Sequence, residues 1–290
     1  MKNLITHLKN FKIRKYNKTS EDKLINNVNM RIKQAVIKKN EFLANHLWML
    51  KSLYLAQNYY LQFIESLYKK KFYEAWLILE RCEITINNLN RHINEEVAEK
   101  YYFYFLKFQV PKWQELFPYN LFISPEFIHK KVKCSICKKY ITPRSSCNHI
   151  VGGLYWGEIC YHIIEQLELI GTAIVKNPVM KGNVIDPYGK NKNFSGLEHI
   201  FSTLPTPFHY WDIDYQKEFI PSEYIIQSSP YMMCPCDSGI SYLLCCQGKK
   251  GCLIPHYHII PYNQAIEKKL NTYLNLKLNM ANYFYEIKHL

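Results

Sequence analysis

Nine of the ten cysteines in this chain lie beyond residue 130, and eight of those fall in two groups with the spacing of metal ligands. The first pattern is Cys234-Pro235-Cys236, eight residues, then Cys245-Cys246. That spacing lets a short turn and helix bring four sulfurs around one ion, and four thiolates close a tetrahedral shell as structural zinc requires. The second pattern is the run CSICKKYITPRSSCNHIVGGLYWGEIC over residues 134–160. Cys134 and Cys137 form a C-x-x-C knuckle, Cys147 and His149 are expected on one face of a strand, and Cys160 is expected to open a helix. These are five candidates for a four-coordinate ion, so one of Cys147, His149 and Cys160 stands behind the ligands unless the ion is not a tetrahedral zinc. Cys252, His256 and His258 follow the other run, and one of them is an alternative to Cys246. The expected cofactor is Zn2+, as two ions, although thiolate clusters also accept iron.

Other groups have chemistry at lower specificity. Glu158, His162 and Glu165 would share a face of the helix expected after residue 158, as metal ligands, an acid/base pair or an ordinary solvated face. His209 with Asp212 and Asp214 makes a third such cluster. Phosphate-binding glycine loops, nucleophile elbows and H-E-x-x-H are absent from the sequence.

Glycine and proline mark the elements that must position these groups. There is no proline before Pro111 and no glycine before Gly152, so the front of the chain is expected to be helical and the back turn-rich. Leu43, Leu47, Leu50, Tyr54, Leu61, Ile64 and Tyr68 recur at helical spacing and predict one long helix. Phe72, Trp76, Leu79, Cys82 and Ile86 predict a second, with Cys82 in the core. Residues 20–38 predict another, and Glu95 to Phe108 a further one ended by Pro111. A last helix is expected over 263–288. The aromatic stripes, among them Trp48, Tyr54, Tyr60 and Trp76, are read as core rather than base-stacking platforms. The expected fold is α+β, divided into a helical domain (1–110), a mixed region with the cluster of residues 134–160 (111–230), a small zinc module (231–262) and a C-terminal helix (263–290).

With 48% hydrophobic residues the chain is expected to bury a sizeable core, and it has no apolar run long enough for a transmembrane segment. Clustered thiols need a reducing compartment, and no signal peptide opens the sequence, so a cytoplasmic location is expected. The net charge of +13 is uneven: residues 1–40 hold eleven Lys or Arg against Glu21 and Asp22, a local +9. Such an excess suits nucleic acid, a ribosome or anionic lipid, and is also what a Lys-rich composition gives without any partner.

The run CPCDSGISYLLCC resembles the SEC-C motif, a small zinc-binding module found on many bacterial proteins. All four ligand positions match, and Ser238, Gly239 and Tyr242 keep the family pattern. Asp237, Ile240, Ser241, Leu243 and Leu244 replace a glycine and outward-facing lysines. The resemblance therefore implies zinc at Cys234, Cys236, Cys245 and Cys246, without the basic face such modules turn towards acidic partners. The apolar replacements are expected to be buried. Residues 72–246 are also similar to a group of bacterial SEC-C proteins, through Trp113-Gln114, Ser124-Pro125-Glu126-Phe127, the knuckle with Ile141-Thr142-Pro143-Arg144-Ser145, Asn177-Pro178-Val179, and Phe208-His209-Tyr210-Trp211-Asp212. That likeness implies one architecture, helical in front and zinc-organised behind.

Three functions follow as expectations. The first is a zinc-binding adaptor with two structural sites and a protein, RNA or ribosome partner. The second is a metal-dependent nuclease: Asn148-His149-Ile150 with Gly152-Gly153 after a C-x-x-C is similar to the heart of the HNH motif, with His149 as base. It departs from that motif at Asn148 and in lacking a second C-x-x-C after the histidine. The third is a peripheral membrane effector using Leu4, Ile5, Leu8 and Phe11 beside Lys12 to Lys15 as an interfacial helix.

Overall fold

Lysines, not glycines, turn the chain between its first long helices. The structure is a computed structural model and describes residues 2–189, 192–225, 229–232, 234–236, 238 and 240–261. Helices α1 (Lys2–Lys9), α2 (Lys18–Ile37), α3 (Glu41–Tyr68) and α4 (Phe72–Leu89) come first. Lys39 (φ 54°) and Lys70 (φ 53°) adopt the left-handed conformation that ends α2 and α3. Each turn is closed by the paired 6→1 and 5→2 bonds of a Schellman motif, Asn40 N to Ala35 O with Lys39 N to Val36 O, and Lys71 N to Ser66 O with Lys70 N to Leu67 O. Asn17 and Asn40 cap the N-termini of α2 and α3, their side-chain oxygens accepting from Ser20 N and Leu43 N at 2.9 Å.

α3 is the axis of the helical unit and is buried on several faces, from Trp48 and Tyr54 to Tyr60 and Phe63. Helix α5 (Glu95–Lys100) and helix α6 (Phe103–Glu115) follow. The single helix expected from Glu95 is broken at Tyr102, whose φ of 63° redirects the chain so that Phe103, Tyr104, Phe105 and Leu106 are all buried. Nor does Pro111 end a helix: it lies inside α6, between the buried Val110 and Trp113. Burial of that face outweighs the one backbone hydrogen bond the proline removes. Trp113 donates its indole N–H to the Tyr60 hydroxyl at 2.9 Å, within a cluster of rings that includes Phe63, Phe105 and Phe11. Buried Gln57 donates to Leu8 O and Tyr101 O, tying α1 and the α5–α6 break to α3.

Beyond α6 runs β1 (Phe122–Cys134), paired antiparallel along its length with β4 (His162–Val175), with β2 (Leu154–Tyr155) and β3 (Glu158–Ile159) as a tight hairpin between them. The stretch after residue 158 expected as a helix is therefore strand. Its β-branched residues Ile163, Ile164, Ile170, Thr172, Ile174 and Val175 favour the extended chain. The segment around Lys181 is pinned on α4: Trp76 Nε1 donates to Lys181 O at 2.7 Å, and the Lys181 ammonium meets Glu83 at 2.7 Å. Helix α7 (Ser195–Thr203) is the last element of this unit among the described residues.

A second compact unit begins at Leu204. It holds the antiparallel pair β5 (Trp211–Pro221) and β6 (Gly251–Pro261), with the short helix α8 (Tyr242–Cys245) between them. The fold is α+β, with its helices mostly in front and small sheets behind. The helix expected over 263–288 lies outside the described residues. No helix among the described residues is long and apolar enough to cross a membrane.

Candidate metal centres

Cys134, Cys137, Cys147 and His149 present four ligand atoms that all lie within 4.8 Å of one another. Cys134 ends β1, and the knuckle then reverses through Lys138 (φ 61°), with Lys138 N bonded to Cys134 O and Cys134 N to Lys139 O. Ile136 N points at the Cys134 sulfur, 3.4 Å away. Cys147 and His149 come from an irregular loop rather than the expected strand. Pro143 and the tight Thr142–Ser145 turn interrupt any ladder there. The His149 ring stands edge-on to Tyr155, with centroids 4.7 Å apart, and the Tyr155 hydroxyl accepts from Ile150 N at 3.0 Å. His149 Nδ1 is buried with no hydrogen-bond partner. A buried polar atom left in that state is costly unless something occupies the space before it. The His149 ring offers a nitrogen that converges with three sulfurs, which suits a metal bond, and Cys3His is an established zinc donor set.

Cys160 is outside that foursome. It follows β3, not a helix start, and lies 1% exposed with its sulfur 3.7 Å from Cys134 Sγ. Burial raises its thiol to about 11, so it is a protonated neighbour able to donate to the Cys134 sulfur. Burial also pushes Cys134 upward. The N–H groups of Cys137 and Ile136, with the Cys147 and Cys137 thiols, outweigh it and bring Cys134 down to about 6. One thiolate is thus already favoured at neutral pH.

The helical unit seats this loop through its own backbone. Trp156 (φ 52°) and Gly157 (φ 80°) form the two-residue turn of the β2–β3 hairpin, both with the positive φ that a type I′ turn demands. Gly157 N donates to Asn45 Oδ1 at 2.7 Å and Trp156 N to Glu41 Oε1 at 3.1 Å, while His92 Nε2 lies 2.7 Å from Gly152 O.

In the second unit Cys234, Cys236, Cys245 and Cys246 also converge within 4.8 Å. Cys236 Sγ is 3.4 Å from Cys245 Sγ, which is 3.7 Å from Cys246 Sγ. A tetrahedron with zinc–sulfur bonds of about 2.3 Å has edges of about 3.8 Å, so the four thiols fit. Cys234 N bonds to Ile240 O at 2.8 Å and Tyr242 N to Met232 O at 2.8 Å, so the turn and α8 deliver the two halves. Ser238 and then Cys234 lower the Cys236 thiol to about 6, while burial raises Cys234 to about 12. Cys252, on β6, is buried against Cys234 and Cys246. It accompanies the four thiols, and Cys246 keeps its place among them. The apolar substitutions of this run are not buried: Leu243 and Ile240 are partly open and Leu244 is 77% exposed.

The remaining sequence candidates lie on strands and turns. Glu158 and His162 are on separate strands, β3 and β4, and share no helix face. Glu165 is engaged by Lys133 and by the Tyr140 hydroxyl. Within β5, Ile213 N donates to Asp212 and Gln216 to Asp214. All ten cysteines are free thiols, and Cys82 is fully buried in α4 with its sulfur 3.3 Å from Ala56 O. No family model, curated protein or solved structure matches this chain.

Proposed function

We propose that this chain is a binding protein whose turn-rich regions are scaffolded by two structural zinc ions. Cys134, Cys137, Cys147 and His149 would hold one, and Cys234, Cys236, Cys245 and Cys246 the other. The convergence of the His149 ring with three thiols, together with its buried and unpartnered Nδ1, is the observation that carries this reading. Zinc in such closed four-ligand shells braces a fold and leaves no position for a reacting water. The ribbon of β1 and β4 is exposed along most of its length, so it has little core of its own and depends on a brace at its Cys134 end. Free thiols in both clusters favour a cytoplasmic setting.

The partner is a macromolecule, protein, RNA or ribosome, met by the helical unit. A nuclease needs His149 free to take a proton from water, and its convergence with three thiols supports ligation instead. Of the apolar residues a membrane-binding helix would insert, Leu4, Leu8 and Phe11 are 1%, 0% and 0% exposed and only Ile5 is half-buried, which supports an aqueous partner. Chelation tests the scaffold directly. Removing zinc at neutral pH should open the 134–160 loop to proteolysis while helical circular dichroism falls little. An unchanged cleavage pattern after complete zinc removal would refute the structural role.

A further inference from the structure

The positive charge at the front of the chain has a shape that average composition does not give it. Helices α1 and α2 each pack on α3, and between them runs an open groove of about 650 Å³. Its walls carry Lys2, His7, Lys23 and Arg31, with Asn3 and Asn27 beside them, and no Asp or Glu lines it. Leu4 and Val28 form an apolar floor. Several lysines elsewhere on the helices and strands are matched, as in Lys69–Glu65, Lys70–Glu198, Lys100–Glu96, Lys130–Glu168 and Lys181–Glu83. Lys2, Lys23 and Arg31 have no carboxylate partner among the described residues, and Arg31 makes only a neutral contact, Nε to Asn27 Oδ1.

Cations gathered around one concavity without counter-charge repel one another, and a polyanion relieves that repulsion. The spacing is informative too. Lys23, Asn27 and Arg31 stand at i, i+4 and i+8 on α2, a ladder of polar groups about 6 Å apart and about 12 Å end to end. A regular ladder suits a polymer with repeated anionic groups better than a single small anion. The apolar face of α1 is already buried, so the groove offers charge without an inserting surface, unlike a helix that lies in a bilayer.

We infer that the α1–α2 groove binds the phosphodiester backbone of a nucleic acid through Lys2, Lys23 and Arg31. This rests on the binding-protein reading and gives its partner a chemistry. Contacts to phosphate alone are indifferent to base sequence and release counterions in proportion to their number.

The test is fluorescence anisotropy of the full, zinc-loaded chain with a short labelled oligouridylate and, separately, a short duplex DNA, over a salt series. Three phosphate contacts on a single strand give a slope of log affinity against log salt of about −2. The Lys23→Gln/Arg31→Gln variant should reduce it to about −0.7 and weaken binding at low salt. A Lys69→Gln/Lys100→Gln control removes the same charge from ion-paired sites and should leave the slope near the wild-type value. Whichever of the single strand and the duplex binds more tightly identifies the source of the backbone. No binding by wild type, equal loss in both variants, or binding only to vesicles of anionic phospholipid would overturn the assignment. Zinc content measured on the same samples separates the two readings. A chain that has its zinc but ignores nucleic acid refutes the groove alone, and a chain without zinc refutes the scaffold.

Discussion

Adding one methyl group at Gly157 tests how the first cluster is seated on the helices. Gly157 has φ +80°, and an added Cβ would lie 2.7 Å from Ile32 Cγ2 and 3.0 Å from the Ala44 carbonyl oxygen. The left-handed conformation costs an alanine about 1–2 kcal/mol. Overpacking against a helix backbone that cannot yield adds about 1–3 kcal/mol. Pushing the hairpin outward also stretches the 2.7 Å bond from Gly157 N to Asn45, a loss of about 1 kcal/mol if it breaks. Gly157→Ala should therefore destabilise the zinc-loaded protein by about 3 kcal/mol. With a urea m-value of about 3 kcal/mol/M, the midpoint of unfolding followed by helical circular dichroism falls by about 1 M. Gly196→Ala is the internal control. Gly196 lies in α7, where an added Cβ would meet nothing within 4 Å and the φ is not positive, so alanine there should be neutral or stabilising by up to about 1 kcal/mol. Equal midpoints for Gly157→Ala and wild type would show that the hairpin is not seated on α2 and α3 in this way.

Three further outcomes follow from the clusters. Cys160→Ala should keep zinc at the first site but weaken it by about 10–100-fold in a chelator competition, because it removes a thiol beside the Cys134 sulfur rather than a ligand. Cys134 and Cys236 are both brought down to about 6 from the ordinary thiol range, so their stabilisation is complete above that ordinary range and is lost as pH falls through about 6. Zinc release to a colorimetric chelator should accordingly rise across that window on acidification, and release that instead increased towards alkaline pH would contradict it. Cys82 is fully buried and its thiol is pushed well up by that burial, so after chelation it should resist a thiol reagent that labels the cluster cysteines, reacting only once the helices unfold.

The helical front is legible in the sequence because its core is amphipathic at a single period. α2, α3 and α4 begin and end within two or three residues of where apolar spacing places them, and the aromatic residues Trp48, Tyr54, Tyr60 and Trp76 are buried as core. The same spacing also includes Tyr68, which is 70% exposed at the end of α3, since periodicity does not show where neighbouring helices stop. The break at Tyr102 leaves no mark in the sequence: a tyrosine in the left-handed region is fixed by burial of the four residues after it, a tertiary effect. Both metal groups are visible from thiol spacing alone. The choice of His149 over Cys160 is not, because five donors are in range and only the fold decides which four converge. The hairpin and strand of β3 and β4 do have a sequence signal, weightier than the helical spacing of Glu158, His162 and Glu165. The glycine of Trp156-Gly157, between Leu154-Tyr155 and Glu158-Ile159, marks a turn, and the β-branched run after Cys160 argues against a helix. The polar groove between α1 and α2 is legible only as a charge excess. Nothing in the order of residues shows that Lys2, Lys23 and Arg31 line one concavity from which Asp and Glu are absent.

The most direct test of the account is zinc content and zinc-edge X-ray absorption on protein purified without added metal, for wild type and His149→Ala. The wild type should carry one zinc for each of the two clusters, with first shells of four sulfurs and of three sulfurs and one imidazole nitrogen. The variant should lose the imidazole signal and most of the zinc at the first site, with the four-sulfur site intact. A wild-type spectrum with oxygen ligands or an open coordination position, or a variant whose spectrum is unchanged, would contradict it.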